Sequence, residues 1–335
     1  MLSLVTGGGG FLGRYIVEQL LDRGEHVRSF GRGAYPELEA LGVEVVRGDL
    51  ADPAAVAQAC EGVDTVYHVA ARPGVSVQRQ PYEQANTLGT KNVLQGCQQQ
   101  GISRLVYTSS PSITFAGTNQ EGVDESVPLA FDWLNQHNSH YSHTKALAEQ
   151  QVLEANSPGL RTCALRPHLI WGPRDQHLIP RLIAKAKSGR LRRVGDGTNL
   201  VDMIYVENAA TAHLQAADAL AQEDSPVAGK AYFLSQGEPV NCWQWIDDIL
   251  ALVDLPPVKK SISQPAAWRV GTVLEKAYQL LGLRSEPPMT RFLAAQLATS
   301  HWFDISAARR DFGYQPPIST AEGMQRLAKW LAQQA

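Results

Sequence analysis

Short apolar runs alternate with longer stretches of helical spacing through the first half of the chain. Residues 2–5 are apolar, a glycine cluster follows, and an amphipathic stretch over 11–21 ends at Gly24. Apolar runs at 26–30, 43–46, 65–69, 105–108 and 161–165 predict further strands, and 53–60, 86–99 and 141–155 predict helices between them. Strands that are apolar throughout, rather than at alternate positions, are buried on both faces. Strands separated by helices need crossover connections, so the pattern predicts an α/β fold with a doubly wound parallel sheet.

Beyond Pro173 this rhythm loosens. Residues 178–188 predict a helix, 202–205 a short strand leading into a helix through 220, and 231–234 another strand. The expected division is a dinucleotide-binding domain over 1–173 with a later contribution from roughly 202–234, and a smaller substrate-binding lobe over 174–201 and 235–335. Between 256 and 303 the composition changes: six basic residues stand against Glu275 and Glu286, a local charge of +4 that leaves −7 for the remainder. Val270, Val273, Leu274, Ala277, Tyr278 and Leu281 recur there at helical spacing, with Trp268 and Trp302 nearby. An apolar stripe with basic flanks suits a lid over a long apolar substrate with an anionic head, or a lobe in peripheral contact with a membrane surface.

Composition narrows the classes. The 335 residues are 44% hydrophobic and 19% charged with a net charge of −3, an ordinary globular balance without the positive field that holds nucleic acid. Cys60, Cys97, Cys163 and Cys242 lie far apart and form no framework, which predicts reduced, buried thiols. The first residues lack a signal peptide's basic and apolar regions, and no apolar run is long enough to span a bilayer. The expectation is a cytoplasmic protein without a membrane span.

Gly7, Gly10 and Gly13 form G-x-x-G-x-x-G between a strand and a helix. Glycines there permit a tight turn and bring backbone N–H groups against a pyrophosphate at the positive end of the helix. At the end of the second strand the chain reads Phe30-Gly31-Arg32-Gly33. With no carboxylate for the ribose hydroxyls and a guanidinium at Arg32, NADP(H) is favoured over NAD(H); the competing reading makes Arg32 a solvated loop residue. Tyr141 and Lys145, in Y-x-x-x-K, share a helix face, where an ammonium lowers the pKa of a neighbouring phenol so that it exchanges a proton near neutrality.

With Asp49-Leu50, Val69-Ala70-Ala71, Thr108-Ser109-Ser110, Arg166-Pro167 and Trp171-Gly172-Pro173, these motifs resemble the extended short-chain dehydrogenase/reductases in order and spacing, over nearly the whole chain. The resemblance implies Tyr141 as the acid/base, Lys145 as its activator and a ligand of the nicotinamide ribose, and Ser110 as the partner of the substrate oxygen, with Ser109 its competitor. It also implies a cofactor path along Gly7, Gly10, Phe11, Leu12 and Gly13, past Arg32, Asp49 and Leu50, under Val69, Ala70, Ala71 and Thr108, to Pro167, His168 and Leu169 at the nicotinamide.

Ser110-Pro111-Ser112 lacks the acidic pair that water elimination needs, which disfavours a dehydratase. Gly237-Glu238-Pro239-Val240, Pro287-Pro288-Met289-Thr290-Arg291 and the stretch Phe303-Asp304-Ile305 with Gly313-Tyr314 resemble the 3β-hydroxysteroid dehydrogenase-like group, and within it the bacterial members that reduce 2-alkyl-3-oxoalkanoic acids in long-chain olefin biosynthesis. That resemblance implies interconversion of a 3-keto and a 3-hydroxy group on a large apolar substrate, a homodimer, and assembly with other enzymes of a pathway. A sterol dehydrogenase, a nucleotide-sugar epimerase and a non-catalytic NADP(H) sensor remain the alternatives. His137, His140 and His143 recur every third residue, too wide an arc of a helix for a metal, so no metal is expected. Asn86 is expected either to support the active-site helix through its amide or to cap a turn.

Overall fold

The computed structural model describes residues 1–334. Seven parallel strands form one sheet in the order Lys230–Leu234, Arg161–Pro167, Arg104–Thr108, Thr65–His68, Leu2–Thr6, His26–Gly31, Glu44–Arg47. The chain moves outward from the first strand through the second and third, then returns to the opposite side of the first. At that reversal, loops leaving the carboxyl ends of Leu2–Thr6 and Thr65–His68 diverge to opposite faces and open a crevice. Gly7 and Val69 begin the two loops.

Helices cover both faces. Phe11–Asp22 and the alanine-rich Val206–Leu220 pack on one side, where Ala209, Ala210, Ala212, Ala216 and Ala217 are buried with Ile16, Val17 and Leu20. Pro53–Ala59, Gly89–Gln100 and His140–Glu154 cover the other, around Val56, Val93, Cys97, Ala148 and Val152. All four cysteines are buried and unpaired. Among the described residues no helix is long and apolar enough to cross a membrane.

Three local features depart from the sequence pattern. The helix read as starting at residue 86 is α-helical only over Gly89–Gln100; it follows a π-helical segment, Glu83–Leu88, that holds Asn86 inward. A short strand, Gln120–Val123, pairs with His301–Phe303 in a four-stranded sheet with Leu200–Val201 and Val240–Asn241, so the first half of the chain also contributes to the second lobe. Its four residues lack an apolar run, and nothing in their pattern marks them as a strand. The stripe on helix Gln264–Leu280 turns outward: Val273 is 67% and Leu281 71% exposed, while Ala267, Gly271 and Glu275 face inward. A Cβ on Gly271 would stand 2.6 Å from the Thr290 carbonyl carbon, so only small residues fit the inner face. Glu275 is held there by the Arg291 backbone N–H at 2.6 Å and guanidinium at 2.8 Å.

The active-site helix His140–Glu154 is joined to the strand Arg161–Pro167 by a fully buried ion pair. Arg166 donates to both Glu149 oxygens, at 3.0 and 2.5 Å, with side-chain exposures of 4% and 0%. Replacing Glu149 by Ala leaves a buried guanidinium unpaired, and the expected loss is about 3–5 kcal/mol of unfolding free energy. Urea denaturation followed by circular dichroism measures it, and the double variant Glu149→Leu, Arg166→Met should recover most of the loss.

Candidate active site

The glycine turn is set by two close approaches. Gly7 adopts φ +71°, and a Cβ there would stand 3.0 Å from Ala70 Cα; a Cβ on Gly13 would stand 2.1 Å from the Gly7 carbonyl oxygen. The Gly10 N–H donates to that oxygen at 2.8 Å. Helix Phe11–Asp22 has no side-chain cap and no acidic residue in its first turn, so its free N–H groups and positive end open into the crevice, as a pyrophosphate requires.

The crevice is an elongated cleft of about 540 Å³. Gly7, Gly10, Phe11, Leu12 and Gly13 form one side; Val69, Ala70 and Ala71 form the other. Asp49 and Leu50 close one end with Arg32, and Thr108 and Tyr141 lie at the far end. Thr6 shapes the second side: its hydroxyl accepts from the Val69 and Ala70 N–H groups at 3.1 Å and meets His68 Nδ1 at 2.8 Å. Burial holds His68 neutral, at about 3. Gly31 ends the second strand with no carboxylate, and Arg32 is exposed, with no ion-pair partner among the described residues. These surfaces fit a dinucleotide. The cleft also includes Phe30, Tyr35, Arg72, Gln84 and His177, which the sequence reading missed. Tyr35, in the left-handed region at φ +47°, lays its ring where a Cβ on Gly9 or Gly33 would stand 2.2 or 2.4 Å away, an arrangement no residue spacing announces.

Tyr141 also borders a second cavity of about 220 Å³, with Ser110, Ser112, His140, Thr290 and Phe292. Pro167, His168 and Leu169, expected along the cofactor path, border this second cavity; Ile170 borders the dinucleotide cleft. Ser109 is turned away, its hydroxyl enclosed and without a partner among the described residues, while Ser110 faces the cavity beside Tyr141 and lowers the pKa of its phenol. Beyond Ser110 runs a chain of hydroxyls: Ser110 to Ser112 at 2.9 Å, Ser112 to Ser142 at 2.9 Å, Ser142 to Ser139 at 3.1 Å.

Lys145 lies behind Tyr141, fully buried. Its ammonium donates to the Thr108 carbonyl and sits 4.0 Å from the centre of the Tyr107 ring. Burial lowers its pKa to about 7. The sequence leads one to expect that this charge lowers the Tyr141 pKa; instead burial raises the phenol to about 12, against the opposing pull of the Ser110 hydrogen bond. With the ammonium turned to Thr108, desolvation wins and Tyr141 keeps its proton at neutral pH.

Asn86 supports this helix. Its Oδ1 accepts from the Arg72 N–H at 2.7 Å, and its Nδ2 donates to Thr144 Oγ1 at 3.0 Å and the Arg72 carbonyl at 3.2 Å, tying the loop beside the cleft to the turn that carries Lys145. The three histidines diverge onto different aromatic partners: His137 on Trp133, His140 on Tyr82, His143 on Phe131. Among the described residues no group of three or more His, Cys, Asp or Glu side chains is placed to hold a metal.

Comparison with known proteins agrees with this geometry. Residues 4–262 match the model of the 3-beta hydroxysteroid dehydrogenase/isomerase family. The chain is 51% identical over 330 residues to a 2-alkyl-3-oxoalkanoate reductase of Stenotrophomonas maltophilia, covering 98% of each chain. It is 34% identical to a mouse sterol-4-alpha-carboxylate 3-dehydrogenase (decarboxylating), covering 97% of this chain and 89% of that protein. In fold it is similar to Thermus thermophilus UDP-glucose 4-epimerase, solved with NAD, at a TM-score of 0.75, 23% identity and full coverage of both chains. The chain therefore belongs to the 3-beta hydroxysteroid dehydrogenase/isomerase family of NAD(P)-dependent oxidoreductases.

Proposed function

We propose that this enzyme reduces the 3-oxo group of a 2-alkyl-3-oxoalkanoic acid to the 3-hydroxy acid with NADPH. The observation that carries the reading is the place of Tyr141, between the dinucleotide cleft and a cavity bordered by Phe292, Leu169 and Val75. The high identity to a 2-alkyl-3-oxoalkanoate reductase supports the substrate class. Exposed, unpaired Arg32 beside a strand end without a carboxylate supports NADPH over NADH.

When bound, NADPH supplies the hydride that goes to the oxo carbon. Ser110 Oγ and Tyr141 Oη hydrogen-bond the oxo oxygen and draw charge toward it, and Tyr141 gives that oxygen its proton as the C–H bond forms. Lys145, one turn along the helix, is the positive charge available to the phenolate that remains. The first-turn N–H groups after Gly10 and the guanidinium of Arg32 hold the phosphates.

Nicotinamide oxidation is followed with 3-oxo acids, 3-ketosteroids and UDP-sugars as candidate substrates. The expected result is turnover of the 3-oxo acids, with Tyr141→Phe lowering kcat by at least about 10³-fold while NADPH binding persists. Activity of that variant near the wild-type level would overturn the assignment of Tyr141. Arg32→Ala should narrow the NADPH-over-NADH preference by about 10-fold or more; an enzyme that prefers NADH from the outset removes the cofactor assignment. The proton inventory gives a pH prediction. Reduction uses the neutral phenol and the charged Lys145, so with Tyr141 near 12 and Lys145 near 7 it should fall as pH rises through about 7, while the phenol is still protonated; oxidation of the hydroxy acid uses the phenolate and should climb with pH above about 9. A plateau of the oxidation rate near neutrality would show instead that the phenol ionises far more readily in the working complex.

A further inference from the structure

One titratable pair beside the substrate cavity is left unused by the hydride and proton steps. His168 borders that cavity and is otherwise enclosed. Its Nδ1 lies 2.8 Å from Oδ1 of Asp202, and Asp202 Oδ2 accepts the Phe303 backbone N–H at 2.9 Å. Both oxygens of a carboxylate that is 1% exposed are thereby committed, and Nδ1 is fixed as the donor nitrogen. Nε2 has no hydrogen-bond partner among the described residues, and it is the ring edge left for a ligand. Edge-on contacts with His301 and Phe303, at 4.9 and 5.2 Å between centroids, lock the ring in this orientation.

No other side chain on the cavity wall is placed to meet a carboxylate in this way. The residues bordering it include no lysine or arginine. His140, on the same wall, is pushed toward its neutral form by burial. His301, behind His168, is held neutral at about 3 and spends its Nε2 on the Gln296 carbonyl. A carboxylate entering this largely apolar space costs several kcal/mol unless it is paired and hydrogen-bonded.

We propose that His168, backed by Asp202, is the subsite for the substrate's carboxylate: the carboxylate binds together with a proton at Nε2, so that Nε2–H donates to it while Nδ1–H stays on Asp202, and the acid is selected over neutral ketones and esters. The proposal rests on reading the substrate as a 3-oxo acid, whose carboxylate lies one carbon from the oxo carbon. In that role His168 binds and orients, setting which face of the oxo carbon meets the cofactor, and Asp202 is its positioning residue.

Since 3-oxo acids of this kind lose carbon dioxide spontaneously, the test runs in the oxidative direction. A 2-alkyl-3-hydroxyalkanoic acid and its methyl ester are compared as substrates with NADP⁺. Wild type should prefer the acid. In His168→Gln the acid-to-ester ratio of kcat/KM should fall by about 10- to 100-fold, the effect of one charge-assisted hydrogen bond, mainly through KM for the acid. Asp202→Asn, which keeps the shape of the pair and removes its charge, should lower the same ratio and serves if the His168 variant does not fold. Preference for the acid that survives both substitutions overturns the subsite. A wild-type enzyme that accepts neither compound but turns over a steroid or a sugar nucleotide removes the 3-oxo acid reading, and the subsite with it; that result appears before any substitution is made.

Discussion

The ion pair between Arg166 and Glu149 is shut away from water, and both walls of the reaction cleft hang from it. Glu149 belongs to the helix that presents Tyr141 and Lys145, and Arg166 immediately precedes Pro167, His168 and Leu169 on the opposite wall. A buried pair with two hydrogen bonds tolerates little displacement, because any opening strands a charge in a low-dielectric interior. The distance across the cleft is thus governed by groups that never meet a substrate. Asn86 adds a second tie, from the helix to the loop beside the dinucleotide cleft.

Desolvation then decides the chemistry. Lys145 is fully buried and Tyr141 stands half-buried between two cavities; loss of water acts on them in opposite senses, raising the phenol and lowering the ammonium toward neutrality. The result is a proton held on the tyrosine, the state that donates to a developing alkoxide. The same loss of water makes an unpaired charge beside the cavity costly, and the buried His168–Asp202 pair answers that cost by hydrogen bonding. Where the dinucleotide lies, the means are different: close backbone approach at Gly7 and Gly13 and the open N-terminus of a helix, with few side chains involved.

Much of this was legible in the sequence, and the reasons are local. The inner strands are buried on both faces and show as largely apolar runs, while the outer strands His26–Gly31 and Glu44–Arg47 carry polar residues among shorter apolar stretches. Gly7, Gly10 and Gly13 occur in the one context where a strand meets a helix, and Tyr141 and Lys145 carry their own spacing. The outward turn of Val273 and Leu281 was not legible, because an apolar stripe has no sign saying which way it faces; the small residues Ala267 and Gly271 on the inner side decide it. Nor was the strand Gln120–Val123, whose pairing partner lies some 180 residues away.

By itself, then, the sequence determined the parallel sheet, the dinucleotide turn and the pairing of Tyr141 with Lys145 on one helix, since each depends on neighbours within a few positions. Only the tertiary structure decided the direction in which the Tyr141 pKa moves, the choice of Ser110 over Ser109 as the hydroxyl facing the cavity, and the meeting of His168 with Asp202, 34 residues apart. Those properties depend on which groups are stripped of water together, and burial is set by the packing of distant segments rather than by the order of residues along the chain.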